Sequence, residues 1–161
     1  LLFNHFGSKA KLFQDTIFRP LEQHFEEFQA TMVVDRGNAQ DVRDWSRKYV
    51  DALQVFIEEH KGTFLSLVFA QTYKMSGVDG LSQVGGLHAY FAKMAGLSER
   101  NLGPDARISP RHIARISFAT IMACVLFKDW LFNEDIDDDA EVSASISEFV
   151  LEGLGANVPL R

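Results

Sequence analysis

This 161-residue sequence has little cysteine and no long apolar run. Its single cysteine, Cys124, excludes an intrachain disulfide and favours a reducing, cytoplasmic location. The longest mainly apolar stretch, residues 116–127, is too short to span a bilayer and ends at Lys128 and Asp129. Strand patterns are nearly absent, whereas helical periodicity recurs along the chain. These features predict an all-α protein that does not cross a membrane.

Basic residues are in the minority over the whole chain but not at its start. The 16 Lys and Arg and the 22 Asp and Glu give a formal net charge of −6, which argues against a dominant nucleic-acid surface. Residues 1–19 instead carry Lys9, Lys11 and Arg19 against Asp15 alone. If the chain contacts DNA, we expect the contact at this end.

The first eighteen residues read as the end of one helix, a break at Gly7 and the start of another helix. Gly7 follows an apolar, aromatic turn and suits the left-handed residue that closes a helix. Ser8 can then cap the next helix. Lys9 lies in the first turn of that helix, where a positive charge opposes the helix dipole. A phosphate group held by Lys9 and the free N–H groups would explain this position.

Residues 2–9, with the sequence LFNHFGSK, form an ordered pattern together with Leu12 and Phe13. The pattern resembles the segment that closes the DNA-binding domain of TetR family transcriptional regulators. In that family the segment spans the end of the recognition helix and the start of the helix that leads into the ligand-binding domain. The family usually has acidic residues after the lysine, whereas Ala10 and Lys11 stand here and weaken the capping box. An ordinary corner between two helices is the alternative interpretation.

The resemblance implies DNA contacts by Phe3, Asn4, His5 and Lys9, with double-stranded operator DNA as the partner. A helix-turn-helix also needs a supporting helix and a recognition helix, so we expect the chain to lack the N-terminal part of this domain. Residues 1–19 would then be a remnant of the helix-turn-helix domain and the start of the connecting helix. Residues 20–161 would form a helical ligand-binding and dimerisation domain.

Apolar periodicity predicts the helices of the larger domain. We expect a helix over about residues 12–34, with a kink at Pro20. Later helices are predicted at residues 40–60, 64–73, 87–97, 111–132 and 142–154. Residues 98–108 read as a polar loop, which Ser109 and Pro110 close as the cap and the first residue of the next helix.

Aromatic residues are abundant, with 14 Phe, 3 Tyr and 2 Trp, and they lie on faces of four successive helices. Core packing must explain most of them. The functional alternative is a cavity with aromatic walls and a few polar groups, as in many small-molecule sites. The candidate lining residues are Trp45, Tyr49, Phe56, Phe64, Phe69, His88, Phe91 and Phe118.

Tyr49 and His88 are the candidate polar groups of this cavity. They either satisfy each other or backbone groups, or they orient the polar end of a ligand. The TetR resemblance favours the cavity, because members of that family usually bind an apolar or amphipathic effector among these helices.

The predicted helix over residues 111–132 is the most apolar, with apolar side chains at nearly every angle around its axis. Such a helix needs partners on two sides, and we expect one of them to be a second copy of the chain. The expected homodimer interface consists of Phe127, Trp130, Leu131, Ile146, Phe149 and Val150.

No catalytic pattern is present in the sequence. The histidines are scattered without ligand spacing, and no Ser-His-Asp or Cys-His arrangement occurs. Asp135, Asp137 and Asp139 alternate as in a calcium loop, but the glycine and the closing glutamate of such a loop are missing. We therefore expect no enzyme activity, no metal and no cofactor.

The sequence-level hypothesis is a dimeric, TetR-like DNA-binding regulator, acting as a repressor. Its effector would bind better to the conformation whose DNA-reading domains are wrongly spaced for the operator. The alternative is a helical dimerisation or interaction module with no small-molecule ligand. A filled core without a cavity would favour that alternative.

Overall fold

The computed structural model describes residues 9–31, 38–72, 85–102, 108–132 and 138–153. The elements are α1 (Lys9–Phe13), a π-helical turn (Gln14–Phe18), α2 (Arg19–Thr31), α3 (Ala39–Glu59), α4 (Lys61–Thr72), α5 (Gly85–Leu102), α6 (Pro110–Leu126), α7 (Lys128–Leu131) and α8 (Asp139–Gly153). No strand occurs in these ranges, so the predicted all-α class is confirmed. None of the described helices is both long and apolar enough to cross a membrane.

The irregularity expected at Pro20 lies one turn earlier, in the π-helical turn. The N–H of Arg19 donates to the carbonyl of Gln14, five residues back. Proline has no N–H, and its ring crowds the carbonyl four residues earlier, which here belongs to Thr16 in the π-helical turn. A wider turn at this point relieves the crowding, so the chain remains helical through the proline.

Side chains on both sides of the predicted domain boundary enter one core. Phe13, Ile17 and Phe18 precede it, Leu21 and Phe25 follow it, and all five are buried. The π-helical turn and α2 both pack against α5. The division into residues 1–19 and 20–161 stays a prediction.

Helix α3 lies at the centre of the packing, against α6 and α8. Its first turn is capped by the Asn38 side chain, which accepts the N–H of Gln40 at 3.0 Å. Tyr49, Leu53 and Phe56 follow at helical spacing and are buried. The prediction of a helix over residues 40–60 is confirmed to within one residue at each end.

A ladder of hydrogen bonds joins α3 to α8. The amide of Gln54 donates to the hydroxyl of Ser147 at 2.9 Å and to the carbonyl of Ser143 at 3.2 Å. The Ser147 hydroxyl donates in turn to the carboxylate of Asp51 at 2.5 Å. Gln54 and Ser147 are buried, so the ladder satisfies polar groups whose burial without partners would destabilise the fold.

Two arginines of α3 hold Glu148 of α8 beside this ladder. Arg43 lies 2.7 Å from the Glu148 carboxylate, and Arg47 pairs with its other oxygen. All three side chains are partly exposed, and such pairs contribute little stability each. Their main effect is to fix how α8 lies along α3.

Several predicted helix boundaries are wrong. Helices α4 and α8 each begin three residues earlier than predicted. Residues 98–102 continue α5 instead of starting a loop. The long helix predicted over residues 111–132 is interrupted at Phe127, whose backbone (φ −109°, ψ 23°) leaves the helical region between α6 and α7. Pro110 does open α6 as predicted, although the Ser109 side chain makes no capping hydrogen bond.

The substitution Gln54→Leu tests the ladder. It keeps a similar side-chain volume but removes the donor that serves Ser147 and Ser143. We expect the free energy of unfolding to fall by about 1–2 kcal/mol, measured by urea denaturation followed by circular dichroism. The control is Gln23→Leu at an exposed position of α2, which should change it by less than about 0.5 kcal/mol. Equal losses from the two substitutions would contradict the role of the ladder.

Candidate functional site

A cleft lies among α3, α5, α6 and α8, and we call it the central cleft. It contains about 430 Å³ of space free of protein atoms. Part of this space is open to solvent, and the enclosed part has room for a few water molecules. The wall is formed by Trp45, Ser46, Tyr49, Val50, Leu53, Tyr90, Met94, Ser98, Ala114, Ser117, Phe118, Ile121 and Val150. None of these side chains is charged.

Two tyrosine hydroxyls meet at this wall. Tyr49 of α3 donates a hydrogen bond to the hydroxyl of Tyr90 of α5, with 2.9 Å between the oxygens. Phe25 of α2 packs edge-on against both rings, at centroid distances of 5.3 and 5.9 Å. Trp45 stacks on Tyr49 at 5.8 Å, and Phe118 meets Tyr90 edge-on at 5.6 Å. These contacts fix the ring planes and therefore the position of the hydroxyl pair.

The polar groups of the wall are neutral. Burial raises the pKa of the Tyr49 hydroxyl well above its usual value, and the neighbouring Tyr90 raises it further. Burial likewise raises the pKa of Tyr90. Ser46 and Ser98 donate to carbonyls one turn earlier in their own helices, at 2.8 and 3.1 Å. An uncharged, mostly apolar wall with a few hydroxyls is typical of small-molecule sites.

Three of the eight predicted ligand residues lie on the wall of the cleft: Trp45, Tyr49 and Phe118. The prediction that all eight surround one cavity is wrong. Phe56 and Phe64 are buried elsewhere in the core, edge-on to each other at 6.5 Å. Phe56 shares the α3 face of Tyr49, but seven residues place it about 10 Å further along the helix.

The remaining three predicted ligand residues are outside the cleft. Phe69 is 59% exposed, and His88 is also exposed. Positions two apart lie on opposite sides of a helix, so Tyr90 pointing inward directs His88 outward. Tyr49 accordingly pairs with Tyr90 and not with His88. Phe91 packs edge-on against Phe118 at 5.5 Å but does not line the cleft.

Helix α5 supplies wall residues that the sequence analysis missed. Tyr90, Met94 and Ser98 lie on one face of α5 at intervals of four. The sequence analysis placed Ser98 in a loop and therefore did not recognise it as the third residue of this helix face. The repeat of four would have extended the predicted helix past residue 97.

Two of the six predicted dimer residues are wrong. Ile146 and Val150 are only 6% and 3% exposed, because they pack into the core of their own chain. Val150 also lines the central cleft. Neither side chain is accessible to a second copy.

The other predicted dimer residues lie at the surface or near it. Trp130 is 85% exposed, Phe149 68% and Leu131 53%. Phe127 is partly buried and stacks on Trp130 at 5.6 Å. Ile116 of α6, which is 57% exposed, adds a further apolar side chain.

The predicted DNA contacts fall mostly outside the described residues. Phe3, Asn4 and His5 lie there, and Lys9 is described only as the first residue of α1. Asp15 pairs with Lys11 at 3.5 Å and with Arg19 at 3.2 Å. Part of the positive charge expected at this end is therefore neutralised locally.

The described residues contain no group of three His, Cys, Asp or Glu side chains that could hold a metal ion. Asp139 pairs with Lys128 at 2.5 Å at the start of α8, while Asp135 and Asp137 lie outside the described ranges. Cys124 is partly buried, and burial raises its pKa, which disfavours the reactive thiolate.

No family model, curated protein or solved structure matches this chain. The central cleft and the pattern of residues 2–13 are thus the features from which a function can be inferred.

His24 of α2 does not line the cleft, and its ring lies near those of Tyr49 and Phe56 on α3. Its ring is 5.1 Å from that of Phe56 and 6.5 Å from that of Tyr49. Its Nε2 atom is buried and has no hydrogen-bond partner within the described parts of the chain. Burial lowers the pKa of His24, an effect that Glu27 and Glu59 oppose and do not cancel.

A lowered pKa means that the unfolded chain binds a proton to His24 more readily than the folded chain. The contribution of neutral His24 to stability is thus present above the unfolded pKa of about 6.5. It is lost as the pH falls through that value towards the lower pKa of the folded chain. We expect unfolding transitions between pH 8 and pH 5 to show a steeper loss of stability in the wild type than in His24→Gln. His112→Gln, which changes an exposed histidine, is the control, and a slope altered equally by both would contradict this assignment.

Proposed function

We propose that this chain belongs to a TetR-like DNA-binding transcriptional regulator, a repressor, whose helical domain binds a small apolar or amphipathic effector that releases DNA. The central observation is the uncharged cleft in the middle of the bundle, with the Tyr49–Tyr90 hydroxyl pair at its wall. The pattern of residues 2–13 supports the DNA-binding part of the proposal. We also propose that the protein acts as a homodimer in the cytoplasm.

The packing provides a route from the cleft to the N-terminal end. Helix α5 contributes Tyr90 to the cleft and also packs against α2. Lys93 of α5 pairs with Glu22 at 2.9 Å and with Glu26 at 2.5 Å, both on α2. A ligand that displaces α5 would therefore displace α2 and the π-helical turn that precedes it. If the two arrangements differ in ligand affinity, the ligand shifts the population between them.

Lys9 is the proposed phosphate contact at the other end of this route. It opens α1, where free backbone N–H groups attract an anion. Phe3, Asn4 and His5 complete the proposed DNA-facing set. Contacts of this type would position the protein on the DNA backbone and would not by themselves recognise a base sequence.

A second copy of the chain is the proposed partner for the exposed apolar side chains of the last helices. Ile116, Trp130, Leu131 and Phe149 lie on α6, α7 and α8, the last elements described. Large apolar and aromatic side chains are enriched in the cores of protein interfaces. Their burial against a second copy would account for their exposure in a single chain.

The substitution Phe149→Glu tests this dimer. A charge in the centre of the interface should convert a wild-type dimer into a monomer at micromolar concentration, measured by sedimentation velocity. Phe69→Glu is the control, since Phe69 is exposed to a similar degree on α4. A wild-type monomer, or loss of the dimer in both variants, would contradict the proposed interface.

The regulatory mechanism is tested by measuring how the protein binds DNA selected from a random pool. A panel of small apolar compounds should contain members that release the DNA. Ser117→Leu places a branched side chain in the cleft and should weaken this release by about 10-fold or more while DNA affinity is kept.

Ser66→Leu, at an exposed position of α4, is the matched control and should behave as the wild type. If the protein binds DNA and no apolar compound weakens that binding, the effector part of the proposal is contradicted. Absence of DNA binding altogether would leave the alternative, a helical dimerisation module without a ligand, which the exposed Trp130 and Phe149 favour.

A further inference from the structure

The hydroxyl pair of the central cleft has one hydrogen more than its own bond uses. Tyr49 and Tyr90 carry two hydroxyl hydrogens, and the 2.9 Å bond between them uses one. Either hydroxyl can act as the donor, so the surplus hydrogen belongs to the pair. Both rings are almost fully buried, and in the described residues no acceptor is paired with this second hydrogen. A buried donor without an acceptor is destabilising, and the central cleft, which both tyrosines line, is the space in which an acceptor can meet it.

The other hydroxyls of the wall do not supply that acceptor through a bond in the structure. Ser46 and Ser98 direct their hydrogens to carbonyls of their own helices. Ser117 of α6 adds a further hydroxyl, which again brings a hydrogen to be donated. The surplus hydrogen of the tyrosine pair is therefore not paired with any of these serine hydroxyls in the described residues.

The wall also discriminates against charge. No lining residue is basic, so an anionic ligand would lose its hydration without gaining a counter-charge. No lining residue is acidic, so the same argument applies to a cation. Burial raises the pKa of both tyrosines, which keeps them as neutral donors.

We infer that the central cleft selects a neutral molecule with an apolar body and a carbonyl oxygen, and that this oxygen accepts the surplus hydrogen of the Tyr49–Tyr90 pair. The ligand extends the pair to a chain of two hydrogen bonds, O–H to O–H to O=C, and does not break the bond between α3 and α5. Each bond in such a chain polarises the next. This inference rests on the proposed effector-binding function and specifies the chemistry of that effector.

Three probes of nearly equal shape test the inference: acetophenone, isopropenylbenzene and benzoate. They present a ketone, a methylene group and a carboxylate at the same position of the same ring. Binding to the wild-type chain is measured by calorimetry and by the shift in melting temperature. We expect acetophenone to bind about 3- to 10-fold more tightly than isopropenylbenzene, and benzoate to bind more weakly than both.

The double variant Tyr49→Phe/Tyr90→Phe identifies the donor. It removes both hydroxyls together, so no hydroxyl is left unpaired and the ring shapes are kept, a change that is close to neutral for stability. In this variant acetophenone should bind more weakly than isopropenylbenzene, because its carbonyl oxygen loses water without gaining a donor, and the affinity for isopropenylbenzene should be unchanged. A melting temperature near that of the wild type shows that the fold is intact. In each single variant the remaining hydroxyl has lost its partner.

The outcomes separate this inference from the proposed function. Equal binding of the ketone and the alkene to the wild type would overturn the carbonyl inference and leave the effector site standing. A ketone preference that persists in the double variant would overturn the role of the tyrosines. Absence of binding by either neutral probe would count against the effector site itself, and the carbonyl inference would fall with it.

Discussion

Ring packing around Tyr49 and Tyr90 sets the arrangement of the middle helices, and the hydrogen bond between the two hydroxyls fixes its register. This bond joins α3 to α5 inside an apolar core, where an unpaired hydroxyl costs more than an ordinary hydrogen bond contributes. Three aromatic rings hold the pair, from Phe25 of α2, Trp45 of α3 and Phe118 of α6. Because the two hydroxyls need each other, α3 and α5 cannot slide past one another without leaving polar groups unsatisfied. The cleft forms beside this fixed point.

The opposite side of α3 is held by polar contacts. Gln54 and Asp51 of α3 join it to the buried Ser147 of α8, and Arg43 and Arg47 pair with Glu148 beside them. This arrangement fixes the rotation of α8 about its own axis. As a result Val150 faces the cleft while Phe149, the preceding residue and 100° away around the helix, faces solvent. Helix α8 thus contributes Val150 to the proposed ligand site and Phe149 to the proposed dimer surface.

Helix α5 likewise has two roles, one at the cleft and one against α2. Its inner face carries Tyr90 to the cleft, and Lys93 ties it to the acidic face of α2. The π-helical turn before α2 is a local departure from regular helical geometry. A shift of α5 would be transmitted to this turn by both apolar packing and ion pairs. The proposed coupling between the cleft and the π-helical turn therefore uses only elements that build the core.

The sequence by itself determined the all-α class, the extent of α3 and the start of α6, because apolar periodicity, an Asn cap and a proline act locally. It also identified Tyr49 and the exposed Phe149 as residues of interest. Only the tertiary structure decided which apolar faces meet. Periodicity shows that a side chain points to one face of its helix, but not how deep it lies or what covers it. For this reason Ile146 and Val150 turned out to be core residues, Phe56 and Phe64 lie beyond the cleft, and the partner of Tyr49 is Tyr90 and not His88.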